Sequence, residues 1–171
     1  VEPSIQMYIA EKSEALRELY VSAYSYAATA NFIHQMVTDK LVELFRATHP
    51  QYTRQDFYEL ELATSGMVRS FMARKCDRNF TMEQKLRRFL SCSMTIYGVA
   101  EEKQQQVIDR VLEMDLKSVA DQLVADAIHQ ADEQYQGTHA HNPSGIFLIQ
   151  HPLYSFHSHC APASLRLSSA K

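Results

Sequence analysis

Four helix-breaking residues interrupt the first 136 positions of this chain: Pro3, Pro50, Gly66 and Gly98. The last 35 positions hold two further Gly and three further Pro. A sheet protein of this length needs many tight turns, and the residues that make them are missing from the body of the chain. The body is therefore limited to helices joined by few breaks. With 46% hydrophobic residues in 171, it is large enough to bury one core.

Hydrophobic spacing divides the body into about six helices. Ile5, Tyr8, Ile9, Leu16, Leu19, Tyr20 and Ala23 predict a first helix over 3–23, with Pro3 in its opening turn. Tyr24 to Ala30 predicts a bend. Phe32, Ile33, Met36, Val37, Leu41, Leu44 and Phe45 mark a second helix, ended by Pro50. Thr53 with Asp56 opens a third. Its apolar arc is wide: Phe57, Leu60, Thr64, Met67 and Phe71 on one face, Tyr58, Leu62, Ser65 and Met72 on the next. Such a helix belongs at the centre.

Thr81 and Gln84 form a capping-box pattern ahead of a fourth helix lined by Leu86, Phe89, Leu90, Ser93 and Tyr97, with Gly98 as its C′ residue. Glu101 and Glu102 suit the start of a fifth, whose core face is Val107, Ile108, Val111 and Leu112. Asp115 can cap a sixth, with Leu116, Val119, Ala120, Leu123, Val124, Ala127, Ile128 and Ala131 along one stripe. The expectation is an all-α helical bundle over residues 1–136, followed by an irregular, His-rich tail over 137–171.

Composition narrows the function. Net charge is -3, and no Lys/Arg run exceeds two residues, so the chain lacks the basic stripe of a nucleic-acid surface. Three cysteines without C-x-x-C spacing suit free thiols in a reducing compartment. No apolar run approaches the ~18 residues of a membrane span, and no signal peptide is evident, so a cytoplasmic protein is expected.

No metalloprotease H-E-x-x-H, Gly-rich phosphate loop or G-x-S-x-G is present, so neither an enzyme nor a cofactor is expected. Glu59/Glu61 and Glu101/Glu102 read as solvated carboxylates, since their side chains diverge on a helix. Cys76 follows Arg74 and Lys75, cations that could lower its pKa, but no His is positioned beside it. His139, His141, His151, His157, His159 and Cys160 are metal-ligand types. The segment carrying them lacks a period that would hold them in place, so a flexible tail without a designed metal site is expected. Its apolar run Ile146 to Ile149 could pair as a strand or dock in a groove. His34 lies near Tyr24, Tyr26 and Phe32, and a neutral His beside aromatics can orient a ligand with one hydrogen bond. Plain core packing is the competing reading for each aromatic.

The segments LRELY (Leu16 to Tyr20) and KLRRFLSCSMTIYGV (Lys85 to Val99), with the helix order of residues 3–135, resemble the C-terminal domain of TetR-type transcriptional regulators. The resemblance implies a helical bundle that encloses an effector pocket and pairs as a homodimer. DNA contact, on this resemblance, belongs to an N-terminal helix-turn-helix that these residues do not include. Tyr24, Tyr26, Phe32, His34, Met67 and Phe71 are the expected lining for a small apolar or aromatic effector. The last helix, or the face carrying Cys92, Ile96 and Val99, is expected to form the dimer interface. The 137–171 tail departs from the family pattern. The alternative is a helical protein–protein interaction module without a small-molecule ligand.

Overall fold

The computed structural model describes residues 1–137, with side-chain surroundings through 133. The tail histidines, Cys160 and the Ile146 to Ile149 run lie outside the described residues. Among those described, seven helices form and no strand does, beyond an isolated bridge between Asp77 and Phe80. The helices are α1 (Glu2–Lys12), α2 (Glu14–Ala23), α3 (Ala27–Phe45), α4 (Arg54–Ala73), α5 (Met82–Ile96), α6 (Glu101–Glu113) and α7 (Leu116–Gly137). The all-α class is as the spacing predicts. None of these helices is long and apolar enough to cross a membrane.

The expected helix over 3–23 is two helices. Ser13 takes an extended conformation (φ -155, ψ 158), and its hydroxyl accepts from the Leu16 amide at 3.2 Å, capping α2. The break lets α1 and α2 pack against one another. An unbroken helix would carry both halves along one line. The predicted bend is also shorter than expected, because α3 starts at Ala27.

Caps fix the other boundaries. Thr53 and Asp56, and Thr81 and Gln84, each make both halves of a capping box. Asp115 accepts from the Ser118 amide at 3.1 Å at the head of α7. Gly98, at φ 67, takes the left-handed conformation that ends α5. Gln104 ties the following turn by donating to the Val99 carbonyl at 2.7 Å and the Thr95 hydroxyl at 3.1 Å.

Residues Val1–Ala120 form one compact unit, and Asp121–Lys171 a second, of which 121–137 continue α7. In the first unit α4 is central, packing on α1, α2, α3 and α5. Its buried stripe is Phe57, Glu61, Thr64, Ser65, Val68 and Met72. Thr64 and Ser65 donate back to the carbonyls of Leu60 and Leu62, which removes the cost of burying their hydroxyls. Met7, Met72, Leu86 and Phe89 are almost wholly buried around it. Burial of each such side chain contributes ~1.5–3 kcal/mol.

A buried ion pair joins the ends of the sequence-distant elements. The Lys85 ammonium, with 0% exposure, donates to Glu11 Oε1 at 2.6 Å and to the Arg74 carbonyl. Glu11 also accepts the Cys76 amide, at 3.0 and 3.2 Å. The ammonium lies 5.8 Å from the Phe80 ring centroid. Burial raises the Glu11 pKa, but Lys85 and the Cys76 amide outweigh it, leaving the carboxyl below its ordinary value. The Cys76 thiol is half-buried and its pKa is raised by that burial, so Arg74 and Lys75 do not activate it.

Candidate functional site

The one carboxylate on the buried stripe of α4 is Glu61, at 4% exposure. This corrects the expectation that Glu59 and Glu61 are both solvated. Glu59 is exposed, as are Glu101 and Glu102, but Glu61 falls in the register 57–61–64–65–68–72 and faces inward. The spacing carried that signal; the residue type obscured it.

Four helices supply the surroundings of Glu61. From α3 comes His34, whose Nδ1 lies 3.6 Å from Glu61 Oε1. That separation is beyond a hydrogen bond, and Nδ1 is buried with no hydrogen-bond partner. The His34 ring meets Tyr58 of α4 edge-on, with centroids 6.3 Å apart. Thr38, one turn on, donates to the His34 carbonyl at 2.7 Å and helps fix α3 locally. At the end of α2, the half-buried Tyr24 donates its hydroxyl proton to Gln6 Oε1 of α1 at 3.2 Å.

Electrostatics follows from burial. Desolvation pushes the Glu61 carboxyl up to about 8, and the charge of Glu2 adds to the shift. Burial lowers the His34 pKa below its usual value. Burial also raises Tyr24, with Glu61 contributing, and carries Tyr20 and Tyr97 up to about 12. At neutral pH the site thus holds a protonated carboxyl, a neutral imidazole and un-ionised phenols. Glu61 Oε1 and His34 Nδ1 stand 3.6 Å apart, slightly too far to bond. A hydroxyl, amide or water that donates to one and accepts from the other would satisfy both.

The six expected lining residues are distributed as follows. Tyr24 and His34 belong to the Glu61 cluster. Tyr26 is 70% exposed at the N-cap of α3, and Phe32 is 39% exposed on the same helix. Met67 is half-buried on α4. Phe71 packs elsewhere on α4, with ring centroids 6.3 Å from Phe80 and 5.8 Å from Phe89. Gln6 and Glu61 are members that reading the sequence missed. His129, the other helical histidine, is exposed on α7 beside Glu133. Among the described residues no group of three or more His, Cys, Asp or Glu is placed to hold a metal ion.

Set beside known proteins, the chain matches no family model, no curated protein and no solved structure.

Proposed function

We propose that the chain is the effector-sensing and self-pairing part of a TetR-like transcriptional regulator, working in the cytoplasm and controlling operator binding by a helix-turn-helix outside these residues. One observation carries the sensing role. An inward-facing carboxyl and an imidazole nitrogen stand 3.6 Å apart in a helical core, and the nitrogen has no hydrogen-bond partner. Buried polar groups are normally satisfied, and an unsatisfied one costs ~1–3 kcal/mol. A ligand that bridges the pair recovers that cost and ties α3 to α4. Its differential affinity for that arrangement is the free energy available for switching.

The test is a fragment screen by ligand-observed NMR on the 171-residue chain, using aromatic compounds that carry a hydroxyl or primary amide. Binders are expected, and Glu61→Gln together with His34→Ala should each weaken them about tenfold or more, the size of a lost buried hydrogen bond. Binders indifferent to both substitutions would count against the site. An absence of binders would favour the protein-interaction reading.

The pairing role is supported by α7. In the second unit, Leu123, Val124, Ala127 and Ala131 are only half-buried, and Ile128 is 58% exposed. A two-fold contact would cover this stripe. Sedimentation velocity should give a dimer for the parent chain. Ile128→Asp should weaken the dimer at least about tenfold, since a charge would be buried. A monomeric parent chain would contradict the pairing role.

A further inference from the structure

A cleft of about 330 Å³ opens where α3 ends and α4 begins, away from the Glu61 cluster in its lining. Its floor is Phe57, at 2% exposure, and its wall is a chain of packed rings. The His49 and Tyr52 rings are 5.0 Å apart between centroids, and the Tyr52 and Phe57 rings 5.5 Å. Phe45 supports the wall from behind, 5.7 Å from His49 and 6.4 Å from Phe57. Val42 and Pro50 complete the apolar part of the lining.

The polar part is cationic. No carboxylate lines the cleft. Arg54 is already engaged, donating to Asp39 at 2.8 Å and to Gln35 at 2.6 Å. Arg46 is different: it is exposed, and it enters no ion pair among the described residues. The nearby backbone donors are also committed. Thr48 and His49 amides donate to the Phe45 carbonyl, and the Thr53 and Asp56 amides are consumed by the capping box. His49 Nδ1 is held by the Thr48 hydroxyl at 2.9 Å. A guanidinium without an ion-pair partner among the described residues therefore lines the same cleft as the packed rings.

We propose that this cleft is a second binding site, specific for a single-ring aromatic carboxylate. The carboxylate takes the two-pronged hydrogen bond that Arg46 offers, and the ring lies against Tyr52 and Pro50. The volume sits at the low end of the ~300–1,000 Å³ typical of small-molecule sites, which suits one ring and its substituent. Because Phe57 and Tyr52 are fixed by their neighbours, little ordering accompanies binding. This site stands independently of the Glu61 cluster, so either can fail without the other.

The test is an amide NMR titration of the 171-residue chain with benzoate, benzamide and cyclohexanecarboxylate. Benzoate should shift and saturate signals confined to residues 42–57. Benzamide, which keeps the ring but not the charge, should bind at least about tenfold more weakly. Cyclohexanecarboxylate, which keeps the charge but not the planar ring, should also bind more weakly. Arg46→Gln, an exposed position, should weaken benzoate about tenfold and leave benzamide unchanged. Glu61→Gln should leave benzoate binding unchanged. Equal affinity for benzoate and benzamide, unchanged benzoate affinity in Arg46→Gln, or shifts absent from 42–57 would each overturn the proposal.

Discussion

Glu11→Ala is expected to be the most damaging single substitution in the first unit, lowering the unfolding free energy by about 3–5 kcal/mol. The loss does not come from Glu11 itself, which is partly solvated. It comes from Lys85, whose ammonium has 0% exposure and would keep the Arg74 carbonyl but lose the carboxylate that neutralises it. An uncompensated buried cation is far costlier than the net worth of the pair that neutralised it. The same change frees the Cys76 amide, which donates to both Glu11 oxygens. Adding Lys85→Met to Glu11→Ala should recover much of the stability, because the cation is then removed along with its partner. Urea unfolding of the two variants measures this. A loss below about 1 kcal/mol for Glu11→Ala would place Lys85 in contact with water rather than in the core.

The second large effect is on pH dependence. Glu61 has its folded pKa raised from 4.5 to about 8. Between those values the folded chain holds a proton that the unfolded chain has released. The stability that this group contributes therefore falls as pH rises through the window, and levels off at its lowest above 8. For one group the loss amounts to about 1 kcal/mol between pH 7 and 8. Glu61→Gln, which keeps the shape and removes the titration, should show a decline smaller by that amount.

Other groups near Glu61 act in known directions. His34 has a lowered pKa, so it destabilises the fold as pH falls below 6.5, and it is mostly neutral in both states above 7. Glu2 on α1 is raised by burial, and Lys40 on α3 is lowered by it, each opposed by the other's charge. These groups are common to parent and variant, so they leave the difference between the two curves nearly intact.

The local features were readable because they are set by residues a few positions apart. Both capping boxes, the Asp115 cap, Gly98 at the end of α5, and the central place of α4 follow from short-range chemistry and spacing. Ser13 was readable in principle, as a helix-capping residue, but the apolar spacing continues across it and masks the break. The Lys85–Glu11 pair spans 74 positions, and nothing local announces it. Glu61 is the intermediate case. Its register places it on the buried stripe, yet a carboxylate two residues after Glu59 reads as solvated until the neighbouring helices are in place. Of the expected lining, Tyr24 and His34 come to the Glu61 neighbourhood because the end of α2 and the middle of α3 both pack on α4, whereas Tyr26 is 70% exposed and Phe32 39% exposed.

The whole reading rests on a carboxyl kept neutral inside a helical core. Carbon-13 NMR of the glutamate side-chain carboxyls, followed from pH 4 to 9 with Glu61→Gln to assign the signal, measures this directly. The account predicts that one carboxyl titrates near 8, well apart from the others, and that His34 ring signals shift with it. A Glu61 carboxyl that ionises between pH 4 and 5, like an exposed glutamate, would contradict it.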